Sequence, residues 1–192
     1  MKDFGNISEL LRYRSVKKPD KIFIIEGKKK YSFSDINHLV DCCCYFFKKL
    51  GLKQRDILSF NLKNSVEFII IYFACIRANI IANPLPHTIS EIETLEKVKF
   101  LKSKYLFTDS IFKKIKNIYV INQKNKTKFI TTILKLNLKN NEYFTKIDNK
   151  KTAVLYYSSG TTNNPKIIEY SYHSMINLQK AMAEIKFTNS NT

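Results

Sequence analysis

The sequence predicts an α/β protein: a mostly parallel sheet with helices on both faces. Two observations carry this expectation. Short β-branched and aromatic runs alternate with single helical patterns, the signature of strand–helix–strand units. Apolar residues make up 44% of the 192 residues and aromatics 13%, with only four glycines and four prolines, so the chain can bury a core and is neither collagen-like nor linker-like.

In order, residues 6–16 read as a helix with Leu10, Leu11 and Tyr13 on its apolar side. Residues 22–26 and 30–33 read as two short strands joined by a polar turn at residues 26–29. Ser34 offers an N-cap for a helix to Lys49, whose apolar positions Ile36, Leu39, Val40, Cys43, Phe46 and Phe47 recur at three and four; Gly51 stands where a C-terminal cap belongs. Residues 56–62 form a strand, and Asn64 or Ser65 starts a largely buried helix to Ala78. A strand over 80–84 follows, then a helix capped by Ser90 and running through Leu101. Strands over 105–108 and 118–121 flank a short helix at 110–116. Residues 122–151 are dominated by Lys and Asn and read as a solvated connector with one short helix near 129–138. Residues 152–157 are a β-rich run that enters the one segment with legible chemistry.

Composition narrows the function. The longest apolar run, residues 68–76, is nine residues and ends at Arg77, too short for a membrane-spanning helix. No apolar stretch behind Met1 reads as a secretory signal. Cys42, Cys43 and Cys44 are consecutive and Cys75 stands apart, so they offer neither a disulfide framework nor zinc spacing; they read as small apolar packing. Reduced thiols suit a cytoplasmic protein. The net charge of +17 would ordinarily suggest nucleic acid. Yet 29 Lys outnumber 4 Arg, and Lys, Asn and Ile, all with A/T-rich codons, make up 72 residues. The lysines are also scattered, so compositional bias is the preferred reading over a polyanion site.

Residues 158–166 follow the last β-rich run and hold Ser158, Ser159, Gly160, Thr161, Thr162 and Lys166. Four hydroxyls, a flexible Gly and an ammonium can offer phosphate oxygens hydrogen-bond donors and a balancing charge. The loop is not a Walker loop, because no second Gly precedes the Lys and no Ser or Thr follows it. By composition alone, an ordinary turn and a phosphate loop both stand.

Residue order separates them. Tyr157-Ser158-Ser159-Gly160-Thr161-Thr162-x-x-Pro165-Lys166 resembles the signature loop of the adenylate-forming enzymes: AMP-binding acyl-CoA synthetases, luciferases and peptide-synthetase adenylation domains. Upstream, Tyr31 to Ile36, Leu50-Gly51-Leu52 with Asp56-Ile57-Leu58, and Ala74 to Leu85 resemble further family segments in the expected order. The resemblance runs from about Val16 to Leu178. It implies a partial adenylation domain over 1–192, with the family's later segments and its small C-terminal catalytic domain absent. It also implies ATP and Mg²⁺ at the loop, a carboxylic acid substrate, CoA or another thiol as acceptor, and the missing C-terminal portion as a partner in trans. Thr161, Thr162 and Lys166 would hold the β- and γ-phosphates, while Ser158, Ser159 and Gly160 shape the loop.

Four positions depart from the family's usual Gly: Arg55, Asn79, Asn163 and Ile167. Asn tolerates the left-handed backbone. Ile167 is β-branched, so it is expected to be extended unless the loop is altered. His173 stands one place from a family His and reads as structural. No catalytic residue or metal ligand is assigned. A non-catalytic nucleotide- or partner-binding module on the same fold, and a basic nucleic-acid-binding protein, are the other function classes open to this sequence.

Overall fold

A computed structural model describes residues 4–110, 118–120, 126–136, 147–157 and 166–189. The elements in order are α1 (Ile7–Lys17), β1 (Ile22–Glu26), β2 (Lys29–Ser32), α2 (Phe33–Lys49), β3 (Ile57–Asn61), α3 (Val66–Arg77), β4 (Ile81–Pro84), α4 (Glu91–Phe100), β5 (Tyr105–Thr108), β6 (Ile118–Val120), α5 (Lys126–Leu134), β7 (Thr152–Tyr157), β8 (Ile167–Ser171) and α6 (Tyr172–Asn189).

Strands β3 to β8 form one sheet in the order β6-β5-β3-β4-β7-β8, with every pair parallel except antiparallel β7–β8. β1 and β2 make a separate antiparallel ribbon. The expected parallel α/β sheet is therefore present. The β8 strand, which the sequence reading did not assign, adds an antiparallel edge. From β4, the chain returns past β3 to reach β5, opposite in direction to the β3–β4 step. Right-handed crossovers then put α3 and α4 on opposite faces.

Side chains show the same division. Phe60 of β3 packs edge-on against Phe68 and Tyr72 of α3. The intervening position, Ser59, turns the other way and hydrogen-bonds Ser103, just past α4, at 2.6 Å. The core lies on the α3 side, where α1, α2 and α3 pack together and α5 joins through Phe129. The ring of Phe129 meets those of Phe46 and Phe107 at 5.9 and 6.4 Å. Cys42, Cys43, Cys44 and Cys75 are buried free thiols in this core, as their apolar reading requires.

Local chemistry explains the element ends. The expectation of Ser34 as the N-cap of α2 is corrected: Ser32 is the cap, and Phe33 opens the helix rather than closing a strand. Ser32 accepts from Asp35 N while the Asp35 carboxylate accepts from Ser32 N, a reciprocal box that Ser34 cannot form. Ser65 and Ser90 cap α3 and α4 as expected. Gly51, at φ 77°, ends α2 with its N–H donating to Lys48 O. The connector helix is present but begins earlier than expected, at Lys126. Of the expected helix over 110–116, residues 111–116 lie outside the described residues.

Buried Arg77, at the end of α3, ties the helical layer together. Its Nε donates to Ser8 Oγ at 2.8 Å, Nη1 to Asp41 Oδ1 at 2.8 Å and to Asn37 O at 3.2 Å, and Nη2 to Asn37 Oδ1 at 2.8 Å. One guanidinium thereby joins α1, α2 and α3.

Candidate phosphate-loop site

β7 is the hub of the candidate site. Its amino end pairs with β4 through Ala82 and Val154, and Tyr157 at its carboxyl end pairs with Ile167 of β8. The chain between those two partners is residues 158–166, so the candidate loop is closed at its base by an antiparallel ladder. It leaves the sheet at the carboxyl end of a parallel strand, the edge where open α/β sheets bind ligands. Ser158, Ser159, Gly160, Thr161, Thr162 and Asn163 lie outside the described residues. Lys166 is described; it is exposed and immediately precedes β8.

Ile167 settles one departure from the family pattern. It sits in β8 as extended chain, so a β-branched residue after the loop lysine carries no strain there. Arg55 and Asn79 settle two more: both adopt the left-handed backbone, at φ 69° and 56°, which Gly would accept without strain. Their side chains are then used. Arg55 Nη1 donates to Thr152 O at 2.6 Å, and Asn79 Oδ1 accepts from the Tyr172 hydroxyl at 3.1 Å. Arg55 N also donates to Asn79 O at 2.8 Å. Burial pushes the Tyr172 phenol up to about 12, against the opposing pull of nearby Arg55, so it stays a neutral donor.

The approach to the loop is held from α4. The Lys97 ammonium lies 4.7 Å from the Tyr157 ring centroid, and the Tyr157 hydroxyl is 3.5 Å from Lys97 O. Desolvation raises the Tyr157 phenol to about 12. On the other sheet face, the Tyr156 and Tyr72 hydroxyls meet at 3.2 Å, and Tyr170 of β8 packs edge-on to Tyr156 at 5.5 Å. Sequence reasoning found the loop but missed this aromatic bracing, since Lys97 is sixty residues from Tyr157 and shares no local pattern with it.

His173 is an exposed side chain on α6, with Nε2 2.9 Å from Asn177 Nδ2. Among the described residues, no three His, Cys, Asp or Glu side chains gather as a metal site, and no helix is long and apolar enough to cross a membrane.

The fold and the loop's placement define an α/β protein with a hydroxyl-rich loop at the carboxyl edge of its sheet. A family model for AMP-binding enzymes matches residues 11–191, and the chain belongs to that family. It is 26% identical over 104 residues to the medium-chain fatty-acid–CoA ligase of Escherichia coli K12, covering 54% of this chain and 18% of the relative. It is 23% identical over 166 residues to the 2-succinylbenzoate–CoA ligase of Bacillus pumilus, covering 84% and 32%. Among solved structures, the N-terminal domain of FACL13 from Mycobacterium tuberculosis superposes with a TM-score of 0.75 at 17% identity, covering 88% of this chain and 45% of that one. The O-succinylbenzoate coenzyme A synthetase of Bacillus subtilis, in complex with AMP, superposes at 0.70 with 22% identity, covering 84% and 41%. The chain thus spans less than half the length of these relatives. The family match does not favour the nucleic-acid reading of the net charge of +17.

Proposed function

We propose that these 192 residues form the N-terminal, phosphate-binding part of an ATP-dependent carboxylate-activating ligase. The observation that carries this reading is the placement of the Ser158-to-Lys166 loop between β7 and β8, in a chain that matches the AMP-binding family over 11–191. A substrate carboxylate oxygen attacks the α-phosphorus of ATP; a new P–O bond forms, the α–β bridging bond breaks, and pyrophosphate leaves with the electron pair. A thiol, CoA in the two curated relatives' names, then attacks the acyl carbon; the C–S bond forms, the C–O bond to AMP breaks, AMP leaves with the electron pair, and the thiol proton passes to solvent.

In this reading Thr161, Thr162 and Lys166 hold the β- and γ-phosphates, and Ser158, Ser159 and Gly160 shape the loop. Lys166 carries the most weight, because backbone N–H groups can replace a hydroxyl donor but not a full charge. Its place at the base of a ladder limits how far the ammonium must be ordered on binding. Mg²⁺ would enter with the nucleotide and would offset phosphate charge beside Lys166. The remaining nucleotide and acyl contacts come from polypeptide outside these 192 residues, in cis or as a separate chain in trans. The setting is the cytoplasm, where the four free thiols stay reduced.

The test pairs direct titration of ATP and pyrophosphate with carboxylate-dependent exchange of labelled pyrophosphate into ATP. The expected result is weak nucleotide binding, no exchange by the 192 residues alone, and at least a roughly tenfold loss of binding in Lys166→Ala, equivalent to about 1.4 kcal/mol. Binding unchanged by Lys166→Ala refutes the role of the loop. Robust exchange by the isolated chain refutes its dependence on further polypeptide.

A further inference from the structure

A concavity lies among elements other than the β7 and β8 strands that flank the loop. It is a pocket of about 340 Å³ between α1, β1, α2, α3 and α6. Its apolar wall includes Leu10, Phe23, Phe33 and Phe73, and its two polar side chains are Arg14 and Gln179. The rings form a rigid slot: Phe23 stacks on Phe33 at 4.7 Å and meets Phe73 edge-on at 6.4 Å. Phe23 is still 38% exposed, so the slot is open to solvent rather than closed in the core. Arg14 is exposed and, among the described residues, has no carboxylate partner; the ion pairs there are those of Arg12 and Arg77 with Asp41.

We propose that this pocket binds an amphiphilic monocarboxylate, with its aliphatic or aryl body in the phenylalanine slot and its carboxylate on Arg14. The volume falls at the small-molecule end of ligand pockets, roughly 300–1,000 Å³. Apolar walls with one guanidinium and one carboxamide select an apolar body with a single anionic head, because a planar fork of donors meets a carboxylate's two oxygens. A cationic head would meet Arg14 as a like charge, and a neutral head would leave it without a partner. The elements that build the pocket are not those that close the phosphate loop, so this inference stands apart from the proposed ligase chemistry.

The probe is sodium decanoate, titrated below its self-association concentration into the 192-residue chain with ¹³C-labelled Ile and Leu methyl groups. Decanol and decylammonium run in parallel. The expected result is saturable one-to-one binding of decanoate with shifts at Ile7, Leu10 and Leu11, the pocket's methyl-bearing residues, and decylammonium at least tenfold weaker. Arg14→Gln lowers decanoate affinity about tenfold and leaves decanol unchanged, whereas Lys99→Gln, an equal charge loss on α4, changes neither. Saturating ATP leaves decanoate binding intact. Absent binding, indifference to the head group, shifts elsewhere, equal effects of the two charge losses, or displacement by ATP each overturn the proposal. Circular dichroism confirms that the variants are folded.

Discussion

Removing the Arg77 guanidinium offers the most direct test of how the helical layer is held. The Arg77 side chain is 1% exposed and Asp41 14%, so the pair at 2.8 Å is largely out of water. Arg77→Met keeps much of the aliphatic stem and removes four hydrogen bonds, to Ser8 Oγ, Asn37 O, Asn37 Oδ1 and Asp41 Oδ1. Asp41 is left with Arg12 at 3.9 Å, too long for a hydrogen bond, and Ser8 Oγ loses its donor. Breaking a buried pair by removing one partner costs about 3–5 kcal/mol. Against a domain stability of roughly 5–15 kcal/mol, that loss is a large fraction of the total. Arg77→Lys keeps the charge but cannot reach three helices with a planar fork, and its cost should be intermediate. Urea denaturation followed by far-UV circular dichroism reads all three proteins. The double variant Arg77→Met with Asp41→Leu should cost less than the sum of the singles, since it leaves no stranded charge. A loss below about 1 kcal/mol for Arg77→Met, or strict additivity in the cycle, would refute the view that this network binds the layer.

Two further outcomes follow from the same chemistry. Asn79→Val should destabilise by roughly 2–4 kcal/mol, because a β-branched residue is strained at φ 56° and the Tyr172 hydroxyl loses its acceptor; Asn79→Gly should cost far less, as Gly relieves the backbone, and equal costs in thermal melts would count against the left-handed assignment. The buried thiols should make the protein base-sensitive. Desolvation lifts Cys42 from 9.0 to about 11 and Cys44 to about 12, so the unfolded chain loses these protons first; stability should hold below pH 9 and fall as pH rises from there toward 11 to 12. Urea midpoints that stay flat across that window, measured beside a Cys42→Ala, Cys44→Ala variant, would contradict it.

Much of this architecture is legible in the sequence because local rules and packing agree. Ser65 and Ser90 precede apolar helical runs and both cap helices. The misplacement at Ser34 arose where two serines flank one phenylalanine; the deciding group was Asp35, three places after Ser32 and only one after Ser34. β8 was unread although Ile167, Ile168 and Tyr170 favour a strand, since a hairpin across nine residues has no helix to announce it. The family's signature segment was legible because its residues are consecutive in the sequence. The Tyr157–Lys97 pair and the Arg77 hub were not, as each joins positions whose nearness exists only after the sheet and helices assemble.

The left-handed residues Arg55 and Asn79 have a consequence that reaches the other end of β8. Tyr172, hydrogen-bonded to Asn79, is a fixed benchmark at the amino edge of the sheet. From it, the five residues of β8 run to the opposite edge, and Lys166 is the next residue beyond them. At about 3.4 Å per residue, the strand measures out roughly 20 Å between the backbones of Tyr172 and Lys166. A slip of one residue would turn every β8 side chain to the wrong face and carry Lys166 off its mark. Two residues held in the left-handed backbone therefore serve this chain as the zero of a ruler, whose far graduation is a single positive charge.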